Sequence, residues 1–212
     1  MKTEIVLLGV LHNFHNNVDC YDLNALEKLI ASIKPSVICV ELDDDEVKNR
    51  KEQPYKIEYQ SIFSYADSNN IEIVGIDPQE PLYSELVEPY NDNQKDFPER
   101  APEACRVLEI QQSQLYDFLI NEYWTKLSNV HSSQTEDFLN LKHRFQEAIM
   151  GPAEKDGWDR FNKYYVEQII SVANENQGKR ILVTIGIEHI YWLRNYLRDH
   201  SDYSLPRIDC FI

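Results

Sequence analysis

The apolar positions of this chain follow two periods that alternate along its first third and return near its end. Ile5-Val6-Leu7-Leu8, Val37-Ile38-Cys39-Val40, Ile71 to Ile76 and Ile181-Leu182-Val183-Thr184-Ile185 are short, nearly unbroken apolar runs. Between the first two, Leu23, Leu26, Ile30 and Ile33 recur at helical spacing, and Lys34-Pro35-Ser36 ends that helix. Near-continuous Val/Ile/Leu runs separated by helices predict a parallel sheet covered on both faces. Strands are expected over 4–11, 37–42, 71–76 and 180–185, with a last one near 207–212. A helix is expected over about 188–199. The fold class is α/β, a mainly parallel central sheet flanked by helices in one domain over residues 1–212.

The middle reads differently. Pro78, Pro81, Pro89, Pro98 and Pro102 punctuate residues 77–103, which predicts a loop-rich connection. Helices are then expected over about 104–127, 134–149 and 156–176. The second starts at Ser133-Gln134-Thr135-Glu136, a capping-box pattern. Residues 77–155 thus form a loop-rich, helical insertion between the third and fourth strands. Insertions at strand ends commonly serve as lids over a substrate.

Charge narrows the partners. The 212 residues carry 21 Lys+Arg against 36 Asp+Glu, a formal net charge of -15. Such a field repels phosphate backbones, so nucleic acid is not an expected partner. No apolar run approaches the length of a membrane span, and Met1-Lys2-Thr3-Glu4 leads into a strand without a secretory cleavage pattern, so the expectation is a cytoplasmic protein that engages no membrane. Cys20, Cys39, Cys105 and Cys210 form no CxxC pair, which suits a reducing compartment.

Chemistry enters at the strand ends. Gly9-Val10-Leu11-His12 and Gly186-Ile187-Glu188-His189 share one form, an apolar strand running into Gly-x-x-His. In a parallel sheet both strands end on the same edge, where ligands of open α/β sheets gather. His12 and His189 would then meet, either as general acid and base or as metal ligands. Glu41 closes a buried strand, a costly place for an acid unless it holds a cation or accepts hydrogen bonds. His15, Asp43, Asp77 and Glu188 also fall at or just beyond strand ends and are expected to support these groups. Asp44 to Glu46 read as a solvated helix start. Arg160, off the apolar stripe Trp158, Phe161, Tyr165, Ile169 and Val172, is expected either on the surface or reaching into the cleft to hold an oxyanion.

Together, Gly9-x-x-His12, Glu41-Leu42-Asp43, Arg160 with Asn162, and Gly186-x-x-His189 resemble the TraB/PrgY/Tiki group, within the superfamily of erythromycin esterases and ChaN-like haem-binding proteins. The resemblance implies an α/β core with a helical insertion over a cleft lined by His12, Glu41, Arg160 and His189. It implies a hydrolase of an amide or ester bond acting on a peptide or small molecule. The leading expectation is a metal-dependent, peptidase-like enzyme, with a metal-free esterase as the alternative. In a metalloprotease-like form, His12, Glu41 and His189 would ligate a divalent metal (Mn, Co or Zn). In an erythromycin-esterase-like form, one histidine would activate water, Glu41 would orient it, and the other histidine would protonate the leaving group. A non-catalytic ligand-binding or signalling module on the same fold is the competing class.

Overall fold

The computed structural model describes residues 2–212. In chain order the elements are β1 (Thr3–Val10), α1 (Leu23–Ile33), β2 (Val37–Val40), α2 (Asp44–Asn49), α3 (Tyr59–Asn69), β3 (Glu72–Gly75), α4 (Leu82–Arg100), α5 (Pro102–Phe118), α6 (Leu127–Val130), α7 (Ser133–Met150), α8 (Pro152–Glu175), β4 (Arg180–Gly186), α9 (Ile190–Leu197) and β5 (Tyr203–Ser204). Short 3-10 turns follow β1 at His12–Asn16 and β4 at Ile187–His189.

The five strands make one sheet in the order β3-β2-β4-β1-β5, and every pairing is parallel. Alternate residues of the inner strands serve two cores. Val6, Leu8, Val10, Ile38, Val40 and Leu182 pack with α1, α3 and the Trp124 region; Ile5, Leu7, Val37, Cys39, Ile181, Val183 and Ile185 pack with α8 and α9. Burial on both faces is why these strands read as unbroken apolar runs. Among the described residues no helix is long and apolar enough to cross a membrane.

Two elements depart from the sequence reading. The proline-rich stretch is mostly helix: α4 contains Pro89 and Pro98. Both prolines are exposed, while Val87 and Phe97 are buried. Tyr90 and Gln94 share that face and meet Gly157 and Glu154 of α8. Packing of one face against α8 therefore outweighs the backbone hydrogen bonds that proline cannot make. The expected last strand over 207–212 is instead a 3-10 turn at Ile208–Cys210. The sheet edge is supplied by two residues, Tyr203 and Ser204, paired with Thr3 and Glu4. Ile208 is buried in the first core, so its apolar character reflects packing rather than strand pairing.

A pair of histidines at the sheet edge

β1 and β4 run in register, Val10 beside Gly186, and β2 lies on the other side of β4 with Val40 beside Thr184. Residues just beyond these three strands therefore open on one edge. His12, Glu41 and His189 come together there, as their positions after strands predict.

Gly186 sits at the centre of the group. A Cβ built on it would lie 3.1 Å from His12 Nε2, 3.4 Å from Glu41 Oε2 and 3.6 Å from His189 Cδ2. The missing side chain leaves a small polar notch bounded by all three. Gly9 has a different task, since a Cβ there would meet Ile187 Cγ1 at 2.8 Å. It lets the β4 end close against β1.

His12 adopts a left-handed backbone conformation, φ 52°. Histidine tolerates this region better than branched residues do, and it turns the ring back over the sheet edge. Its Nδ1 lies 2.7 Å from Oε1 of Glu58, a carboxylate with no exposed surface. That contact leaves Nε2 toward the notch, 3.8 Å from Glu41 Oε2. Burial disfavours the imidazolium, but the Glu58 hydrogen bond and the charges of Glu41 and Glu58 outweigh it, so the His12 pKa is raised.

Glu41 is held from several directions. The Gly186 N–H donates to Oε2 at 2.7 Å, and the Lys56 ammonium lies 3.1 Å from Oε1 while donating to the Glu41 carbonyl at 2.7 Å. The Glu41 N–H donates to the Tyr59 hydroxyl at 3.1 Å. Burial alone would raise its pKa; Lys56, His12 and His189 more than offset this and hold it low, as a carboxylate. Lys56 also lies 3.5 Å from Asp77, which accepts a hydrogen bond from the Tyr165 hydroxyl at 2.6 Å. Burial and the nearby Glu41 charge push the Asp77 carboxyl up to about 6.

His189 is fixed by α8. Its Nδ1 donates to Oδ1 of Asn162 at 2.8 Å, and Asn162 Nδ2 donates to the Trp158 carbonyl at 2.8 Å. Only the amide oxygen can accept, since the amide nitrogen is already spent as a donor, so His189 carries its proton on Nδ1 and presents a bare Nε2. The Trp158 ring stacks on the imidazole at 4.5 Å between centroids, and Tyr165 meets it edge-on at 5.3 Å. Burial drives its pKa down to about 4, against the attraction of Glu41 and Glu188. The ring is a neutral acceptor near pH 7.

The other expected site residues fall elsewhere. Arg160 is exposed, and its Nε donates to the Asp156 carbonyl one turn back at 3.4 Å. On a helix whose Trp158, Asn162 and Tyr165 face the site, a residue two places from Trp158 points roughly 200° away. The cleft reading of Arg160 is thereby corrected to a surface residue. His15 is buried and neutral: Nδ1 faces the Tyr21 carbonyl at 2.6 Å and Nε2 accepts the Leu11 N–H at 3.0 Å, which pins the turn carrying His12. Asp43 caps α2 in a reciprocal pair with Glu46. Glu188 turns toward Lys142 (2.6 Å), His143 (2.8 Å) and Tyr116, and against burial the Lys142 ammonium and the His143 hydrogen bond hold its pKa well below the carboxylate range.

Sequence reasoning missed Glu58 and Lys56 entirely. Both precede α3 in a polar stretch with no strand or glycine to flag them. Asn162 did leave a signal beyond its place beside Arg160: it is polar, four residues after Trp158, on an otherwise apolar helical stripe.

Two cavities meet at His189. One, about 230 Å³, is lined by Leu11, His12, Phe14, Tyr116, Trp124 and Gly186 among others. The other, about 200 Å³, lies between α4 and α8. Trp158 and His189 line both. Tyr83, Leu86 and Tyr90 of α4 border one cavity, and Tyr116 of α5 with Trp124 borders the other.

The donor set does not fit a shared metal ion. A histidine backed through Nδ1 is what ligands and proton carriers alike display, so Glu41 decides. Its charge is already compensated by Lys56 and its Oε2 occupied by the Gly186 N–H. Among the described residues no three His, Cys, Asp or Glu side chains converge as a cation-binding group. Comparison with family models, curated proteins and solved structures finds no match to this chain.

Proposed function

We propose that this protein is a hydrolase of a carboxylic ester or amide that works without a metal, using His12 as the proton carrier and His189 as a fixed acceptor. The observation that carries the reading is the notch over Gly186, where His12, anchored through Nδ1 by Glu58, turns Nε2 toward the buried Glu41 carboxylate, and the edge of the His189 ring, anchored through Nδ1 by Asn162, closes the third side. The short motifs that resemble the TraB/PrgY/Tiki group fall at this notch, Asp43 and Arg160 excepted.

The environments separate the roles of the two rings. His12, with Glu58 behind it, gains a proton readily: neutral, it takes one from a water in the notch. The resulting imidazolium is stabilised by Glu58 and Glu41 and then returns the proton to the leaving oxygen or nitrogen. His189 does not titrate near neutrality, so its bare Nε2 accepts the second hydrogen of the same water and aims it. Glu41 stays ionised under Lys56 and completes the orientation. One water is consumed, and the acyl–oxygen or acyl–nitrogen bond is replaced by a carboxylic acid and an alcohol or amine.

The test is hydrolysis of 4-nitrophenyl esters by wild type and His12→Ala, before and after exhaustive dialysis against a chelator. Chelator-resistant turnover that falls by about 10²-fold or more in the variant supports the mechanism. Turnover abolished by the chelator and restored by zinc or manganese would overturn the metal-free form. Turnover equal in both proteins would overturn the site.

A further inference from the structure

The cavity between α4 and α8 is walled by Tyr83, Leu86, Tyr90, Trp158 and Phe161, and it opens onto His189. Its rings are arranged as a box. Phe161 meets Tyr83 edge-on at 6.4 Å and leans on Tyr165 at 4.8 Å, while Trp158 is clamped between His189 at 4.5 Å and His143 at 4.0 Å. Clamped on both faces, Trp158 cannot swing to fill the space. Gly157 lets Tyr90 close in, since a Cβ there would come within 2.6 Å of the Tyr90 side chain.

Polar groups in this wall are few. Apart from the tyrosine hydroxyls and the Trp158 indole N–H they are Asn91 and the neutral His189, and among the described residues no Lys, Arg, Asp or Glu side chain lines it. The cavity shares His189 and Trp158 with the one that holds the notch of the proposed mechanism. A substrate whose scissile carbonyl reaches that notch past His189 can place the rest of its acyl group here. The space of about 200 Å³ suits one ring with a short tether, not an extended peptide.

We infer that this cavity is the acyl-specificity subsite, and that the substrate is an ester or amide of a neutral arylalkanoic acid. The inference rests on the proposed hydrolase reading for the scissile bond, but the subsite itself is defined by binding. Aromatic walls favour a ring through edge and stacking contacts. The absence of a cation among the lining residues, in a chain of net charge -15, disfavours an acyl group that carries a carboxylate of its own.

Binding and turnover separate the two ideas. Calorimetric titration with 3-phenylpropanamide, against acetamide as the truncated control, measures the subsite without any reaction. Wild type and His12→Ala are both expected to bind the aryl amide. Leu86→Trp and Asn91→Trp, which put bulk into the cavity from two positions on α4, are expected to weaken binding at least about tenfold while circular dichroism shows folded protein. In parallel, kcat/KM for 4-nitrophenyl 3-phenylpropanoate should exceed that for the acetate by about tenfold or more, and the ratio should fall toward one in both bulky variants. Aryl-amide binding that is absent, or unchanged in both bulky variants, overturns the subsite. Binding that behaves as expected in a protein that hydrolyses neither ester upholds the subsite and overturns the hydrolase reading instead.

Discussion

Nδ1 of His12 lies 2.7 Å from Oε1 of Glu58, 46 positions further along the chain. Glu58 is wholly buried, so this pair is compensated mainly by itself. The contact accounts for the upward displacement of the His12 pKa against the effect of burial. Glu58→Gln removes the charge while keeping the shape. The His12 pKa should then fall, seen in the ring-proton titration by NMR, and the acid limb of kcat/KM should move to lower pH. Turnover should drop by up to about 10⁴-fold, the loss seen when a carboxylate behind a catalytic imidazole is neutralised. The stability sign is also determined. A histidine raised above its unfolded value of about 6.5 contributes stability that is present below that pH and lost as pH rises through the folded value. The wild-type advantage over Glu58→Gln should therefore shrink on the alkaline side.

Gly186→Ala tests the notch directly. Its backbone, φ -46° and ψ 133°, is open to alanine, so the fold tolerates the change. The added methyl would stand 3.1 Å from His12 Nε2, in the space the proposed mechanism assigns to its water. The expected result is a melting temperature within a few degrees of wild type and loss of about 10²-fold or more in kcat/KM.

His131 supplies a pH prediction away from the site. It is buried edge-on to Tyr21, its Nε2 has no hydrogen-bond partner among the described residues, and burial, with Arg194 and His15 nearby, lowers its pKa to about 3. Between that value and about 6.5 the unfolded chain binds the proton and the folded chain does not, so stability rises with pH across this window. His189 acts with the same sign down to about 4. Denaturant titrations should show His131→Phe removing about 1.4 kcal/mol per pH unit from the acid decline between pH 4 and 6.

Arg160→Ala separates surface from site. The side chain is exposed and bonds only weakly to its own helix. Stability within about 0.5 kcal/mol of wild type and unchanged kcat/KM are expected. A loss of turnover near that of His12→Ala would return the arginine to the cleft.

Much of the fold could be read along the chain because its signals are local. The inner strands lie between two cores, so nearly every residue in them is apolar, and the run itself announces the strand. The glycine before each histidine could also be read, since the end of a buried strand and a turn residue are neighbours in sequence. The α4 segment could not. Its prolines speak for a loop, and only contact with α8 makes a helix of it. The same holds for Tyr203 and Ser204, which pair as a strand because Thr3 and Glu4 offer them an edge.

Sequence alone thus determined the parallel α/β sheet and the meeting of His12, Glu41 and His189 at its edge, all consequences of periodicity and strand direction. Only the tertiary structure decided which groups stand behind them. Glu58 and Lys56 enter with α3, Asn162 and Trp158 enter with α8, and Arg160 leaves on the opposite face of that helix. Buried charges and imidazole protons must be paired wherever packing happens to bring partners, and that choice is made across space by elements whose separation along the chain carries no trace of it.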